Sequence, residues 1–147
     1  MLRRFLLYGF AGWIVEVLFT GTLSAVRRDR AGTARTYLWM HPIYGATALA
    51  MEWLSKRLRP LPWPVRGLAY TAVIYGAEYS SGWALKKILG RCPWDYSGSG
   101  KNVHGLVRLD YAPAWYALGL LFEPLRDSLD GISASKPVEW PRVPGRR

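Results

Sequence analysis

The chain has 147 residues, half of them hydrophobic and 14% aromatic, with a formal net charge of +10. That length supports one compact unit, and the single cysteine, Cys92, excludes an internal disulfide and a thiolate metal cluster. Mean hydropathy is only −0.01, so a membrane assignment must rest on local apolar runs. The basic residues fall between those runs, as in Arg27, Arg28, Arg30 and Arg35, rather than in one nucleic-acid-binding stripe.

The first predicted element is Phe5 to Val26, an apolar stretch with one charge, Glu16. At about 1.5 Å per residue it is long enough to cross a hydrocarbon core of about 30 Å. The preceding Met1-Leu2-Arg3-Arg4 resembles a signal-peptide start. The run is too long for a typical signal h-region, contains Glu16 and has no convincing small-residue cleavage site, so a retained span is expected. The second element is Tyr37 to Leu54, with His41-Pro42 near its start and Glu52 near its end. The third is Val65 to Ala84, with Glu78 inside and Pro60, Pro62 and Pro64 upstream, where proline ends one helix and starts the next. The fourth, Tyr111 to Leu125, is bracketed by Pro113 and Pro124. At about 22 Å it is short for a full crossing, which implies a tilted segment, a locally thinned bilayer or a re-entrant segment.

The expected fold is therefore all-α: a polytopic membrane helix bundle of about four transmembrane helices. Residues 1–126 form the membrane domain, and 127–147 a polar, flexible tail. A soluble four-helix protein is the competing reading, but the first and third segments lack the polar face that it requires. The Lys and Arg clusters divide almost evenly between the two sides, so charge asymmetry leaves orientation open.

Glu16 and Glu78 are the residues that invite chemistry. A charged acid at helix mid-depth costs about 2.5–3.5 kcal/mol on insertion scales, so it normally faces a cavity or a partner. The first and third spans run in the same direction, which lets both carboxyls sit at similar depth. Such a pair can relay protons, bind a cation, act as acid and base, or simply lock helix packing. Glu52 and Glu123 lie near span ends, where solvation at the interface is the ordinary explanation. Gly9, Gly12, Gly76 and Gly82 read as sites of close helix approach, and Trp13 and Trp83 as interface anchors or cavity walls.

An aromatic residue precedes each glutamate by eight positions: Tyr8 and Glu16, Tyr44 and Glu52, Tyr70 and Glu78, Trp115 and Glu123. With so many aromatics chance competes with a true repeat, and the spacing dictates no topology.

The segment between spans three and four, residues 90–110, combines turn residues with Trp94, Asp95, Tyr96, Asn102, His104 and Arg108. Asp95 and Arg108 are a candidate pair, and Asn102 and His104 candidate headgroup contacts, although each is also an ordinary turn or capping residue. Two such residues make no metal site, and neither a metal nor a cofactor is expected. The sequence has no G-x-x-x-x-G-K-[ST] phosphate loop, no H-E-x-x-H and no G-x-S-x-G.

One constellation is more specific. Glu78-Tyr79 and Gly82-Trp83, then Cys92-Pro93-Trp94-Asp95-Tyr96-Ser97, Gly105-Leu106, Tyr111 and Trp115 resemble the transmembrane protein 229 family and the CmpB-like ABC-transporter type IV proteins. Tyr8-Gly9, Gly12-Trp13, Glu16 and Pro42-Ile43-Tyr44-Gly45 extend the resemblance over roughly residues 5–125. It implies a multi-pass membrane protein with no settled biochemistry, and an ATPase, if there is one, as a separate subunit. The sequence departs from it at Arg35-Thr36-Tyr37-Leu38, so the resemblance assigns the first loop no role.

The first functional expectation is a permease-like protein in a bacterial inner membrane. It would bind or move a small solute or lipid headgroup through an acidic intramembrane cavity. The site set is Glu16, Glu78, Trp94, Asp95, Tyr96, Asn102, His104 and Arg108. None is assigned a catalytic role, and enzymatic activity stays open with the non-enzymatic reading preferred. The alternatives are a membrane-embedded enzyme acting on a lipid or isoprenoid and a structural or assembly subunit. The expected partners are the lipid bilayer, a separate ATPase subunit or a second copy of the chain, and no nucleic acid.

Overall fold

The computed structural model describes residues 1–134. Four α-helices dominate it: α1 (Leu2–Val26), α2 (Met40–Leu58), α3 (Trp63–Leu89) and α4 (Ala112–Ala134). The four-residue connection from α2 to α3 forces those helices to run antiparallel. The main packing is within two hairpins, α1 against α2 and α3 against α4, joined along α2 and α3.

Helix boundaries follow local chemistry. α3 starts directly after Pro62, has a proline in its first turn, and ends at Gly90 in the left-handed conformation with φ of 73°. Lys86 and Lys87 in its last turn complement the helix dipole. Pro124 does not end α4 as the sequence pattern suggests; it lies inside the helix. The 23 residues of α4 span about 34 Å at the usual rise, so the fourth helix is not a short segment. It also runs through the expected domain boundary at 126 and takes in residues 127–134 of the expected tail. The rest of that tail, 135–147, lies outside the described residues.

The core is a small cluster to which each helix contributes one large side chain: Tyr8, Met51, Tyr70 and Phe122. Much apolar surface faces outward instead. Leu6, Phe10, Ile14 and Leu18, four residues apart along one face of α1, are all exposed. Only 11% of the most apolar 18-residue window of α1 is buried, and α1 is the one described helix long and apolar enough to cross a membrane by itself. A core helix of a soluble protein would bury that window; here it forms a continuous exposed apolar stripe.

The segment between α3 and α4 is not a plain loop. It contains a two-residue antiparallel ladder, β1 (Asn102–Val103) against β2 (Val107–Arg108), followed by a 3-10 turn, Leu109–Tyr111. The ladder turns through His104 (φ 55°) and Gly105 (φ 70°). At Gly105 a side chain is excluded twice, by the left-handed backbone and because a Cβ would fall 2.5 Å from Ser97 Oγ.

Candidate functional site

Glu16 and Glu78 approach from different hairpins. The Thr36 hydroxyl, in the loop after α1, donates to Glu16 Oε2. The Tyr44 hydroxyl on α2 lies beside the same carboxyl and is also near Tyr96 and Glu78. The Tyr96 hydroxyl, in the loop after α3, donates to Glu78 Oε1 at 3.1 Å. Glu78 Oε2 and Trp115 Nε1 are both buried without a hydrogen-bond partner, with the Trp115 indole beside the Glu78 carboxyl. The two carboxyls are close enough to interact electrostatically. Among the described residues neither has a basic side chain within ion-pair distance.

Rings wall this region. Phe19 of α1 packs edge-on against Tyr111 at 5.3 Å and tilted against Trp115 at 5.8 Å, and Tyr96 meets Tyr111 edge-on at 6.0 Å. One surface cavity, about 410 Å³, is lined by Leu6, Phe10, Trp13, Leu38, Trp39 and His41 among others, and a second by Tyr37, Trp39, Leu89, Arg91 and Cys92 with Pro93. Glu16 and Glu78 line neither.

The other loop residues take structural positions. Trp94 donates from Nε1 to the Leu106 carbonyl at 3.0 Å and packs on Gly82, where a Cβ would lie 3.0 Å from its ring. Asp95 closes an Asx turn, accepting from the Ser97 hydroxyl at 2.6 Å and the Ser97 amide at 2.9 Å, and both bonds hold its carboxyl below the usual range. Asn102 accepts from the Gly105 amide at 2.8 Å and donates to the Ser99 carbonyl, bracing the turn. His104 is exposed and meets the Tyr79 hydroxyl through Nδ1 at 2.9 Å. Arg108 does not pair with Asp95. It forms a bidentate pair with Asp110 at 2.8 and 2.7 Å, because two residues along the chain bring that carboxylate level with the guanidinium. Of the eight candidates, then, Glu16, Glu78 and Tyr96 converge, whereas Trp94, Asp95, Asn102, His104 and Arg108 shape the loop around them.

Glu52 and Glu123 depart from the simple interfacial reading. Glu52 is 7% exposed and accepts from Arg4, from Tyr8 at 3.0 Å and from Lys56 at 3.4 Å. Glu123 accepts from Tyr70 at 2.7 Å and pairs with Arg66 at 3.3 Å. Arg4 also pairs with Asp130, and the buried Arg126 donates to Ser55. This end of the bundle is a charge-compensated lock, in contrast to the Glu16 and Glu78 level.

Sequence reasoning passed over Thr36, Tyr44 and Trp115. The signal for the last two was the eight-residue aromatic-to-glutamate spacing. Nothing in the local sequence marks Thr36, which reaches Glu16 only because the chain turns back after α1.

No solved structure matches the chain. A family model described as "putative ABC-transporter type IV" matches residues 4–129, which takes in α2, α3, most of α1 and α4, both glutamates and the folded loop. With most of its length matched, the chain belongs to that family of transporter-related membrane proteins.

Proposed function

We propose that the chain is a multi-pass, permease-like membrane protein whose Glu16 and Glu78 carboxyls bind or pass on a small solute or lipid headgroup. The observation that carries this reading is the contrast between the two ends of the bundle. Glu52 and Glu123 are neutralised by Arg4, Lys56 and Arg66, whereas among the described residues the polar neighbours of Glu16 and Glu78 are hydroxyls and an indole. Both acids are half-buried, and an acid withdrawn from water without a fixed counter-charge takes a proton or a bound cation instead. Its two members come from different hairpins, so relative movement of the hairpins would open or close the site. The loop carrying Tyr96 covers it from one side. Energy coupling, if the protein is driven by ATP, would come from a separate ATPase subunit, in keeping with the family.

Proteoliposomes test this directly. Proton flux, read by an enclosed pH-sensitive dye, and translocation of a fluorescent-headgroup phospholipid are compared for wild type, Glu16→Gln and Glu78→Gln. Loss of at least one of these activities in both variants, with unchanged insertion, is the expected result. Wild-type activity in both variants overturns the reading.

A further inference from the structure

The aromatic-to-glutamate spacing has a three-dimensional counterpart. Tyr8 of α1 donates to Glu52 of α2 at 3.0 Å, and eight residues further along α1, Glu16 sits beside Tyr44, eight residues back on α2. The second hairpin repeats the arrangement. Tyr70 of α3 donates to Glu123 of α4 at 2.7 Å, and Glu78 sits beside Trp115. At one level the aromatic of the first helix donates to the glutamate of the second, at the other the aromatic of the second lies beside the glutamate of the first, and the two levels are about 12 Å apart by helical rise.

Two further correspondences link the hairpins. The loop of each hairpin supplies a hydroxyl to the glutamate of its first helix, Thr36 to Glu16 and Tyr96 to Glu78. Three residues before the first-helix tyrosine and one after the second-helix aromatic, Phe5 faces Gly45 in one hairpin. Gly67 faces Tyr116 in the other, with ring and glycine exchanged. Chance aromatics at one spacing do not produce reciprocal contacts together with a size-swapped pair. Because α1 and α3 run in the same direction, the two copies are related by an axis along the bundle.

We infer that the chain is a duplicated helical hairpin and that Tyr44 and Trp115 are equivalent positioning residues, each holding the glutamate of its partner helix in the site proposed above. The inference rests on that reading for the role of the site, but the duplication and the positioning stand apart from it. Trp115 Nε1 and Glu78 Oε2 are an unpartnered donor and an unpartnered acceptor on adjacent side chains, and on this inference they serve each other as the Tyr44 hydroxyl serves Glu16. The position therefore accepts any aromatic that keeps a donor.

Infrared spectroscopy of the full chain in lipid vesicles tests this. The carboxyl C=O bands of Glu16 and Glu78 are assigned by their loss in Glu16→Gln and Glu78→Gln at acidic pH. Losing a donor moves such a band to higher wavenumber. Tyr44→Phe is expected to shift only the Glu16 band, and Trp115→Phe only the Glu78 band. Trp115→Tyr, which supplies the donor used in the other copy, is expected to keep the Glu78 band at or below its wild-type position. Coincident spectra for Trp115→Phe and Trp115→Tyr overturn the inference, as do unshifted bands in both Phe variants. The Trp115 pair decides the outcome if Tyr44→Phe does not fold. Band shifts as expected, alongside unimpaired flux in Glu16→Gln and Glu78→Gln, support the positioning while removing the proposed function.

Discussion

The Tyr96 hydroxyl and the Glu78 carboxyl, 18 residues apart in the chain, meet at 3.1 Å and tie the loop after α3 to the middle of that helix. This is the hydrogen bond that Glu78 makes among the described residues, since its second oxygen has no partner. Tyr96→Phe leaves both carboxyl oxygens unsatisfied. The expected cost is about 1–3 kcal/mol, the range for stranding a buried polar group. Reversible unfolding in mixed micelles measures it, and a variant as stable as wild type would contradict the contact.

Glycine substitutions separate close contacts from open positions. An added Cβ on Gly12 would lie 2.5 Å from the Tyr44 side chain, whereas nothing lies within 4 Å of one on Gly76. Gly12→Ala is therefore expected to destabilise by about 1–3 kcal/mol through overpacking. Gly76→Ala is expected to stabilise by about 0.5–1 kcal/mol through helix propensity. Thermal unfolding of the two variants in the same detergent should move in opposite directions. Destabilisation by Gly76→Ala would instead mark that face as a contact with another protein chain.

The Arg4 and Glu52 pair is accessible to a double-mutant cycle. Glu52 is almost fully buried, while the Arg4 side chain is 31% exposed, so solvent screens part of the interaction. Arg4→Met alone is expected to cost about 1–3 kcal/mol, less than a fully buried pair, because Tyr8 and Lys56 remain on the carboxylate. Adding Glu52→Gln to it should cost much less than Glu52→Gln does alone. Strict additivity in chemical unfolding would show that the pair contributes nothing.

Asp29, in the loop between α1 and α2, gives a pH signature. Its carboxylate accepts from the Ala31 amide at 3.0 Å and the Ser24 hydroxyl at 2.8 Å, and its pKa is lowered from 3.8 to about 2, first by the amide bond. A pKa depressed in the folded state favours folding at pH above 3.8, and the benefit disappears as pH falls toward about 2. Asp29→Asn should remove that dependence, leaving a flatter stability profile between those limits. Superimposable profiles of wild type and variant, measured by unfolding across that range, would contradict it.

What the sequence alone determined were properties carried by runs of residues: four helices, the apolar character of the first, and two acids placed where a helix middle would be. Hydrophobic length and proline placement are local, so they are legible without the fold. Pro124 is the exception among the breakers, because tertiary packing of α4 outweighs the loss of one backbone donor. The family resemblance was legible for a related reason, since the Trp94-Asp95-Tyr96-Ser97 block and Gly105 are contiguous or closely spaced.

Pairing, by contrast, was decided only by the tertiary structure. The sequence held four equal aromatic-to-glutamate spacings but could not say that Tyr8 reaches Glu52 and Tyr70 reaches Glu123 on the opposite helix, since that depends on hairpin register. Nor could it separate the compensated Glu52 and Glu123 from Glu16 and Glu78. Arg4 reaches Glu52 across 48 residues, and Arg66 of α3 reaches Glu123 on the neighbouring α4. Counter-charge is a property of space rather than of sequence distance, and among the described residues it is what separates the paired Glu52 and Glu123 from Glu16 and Glu78.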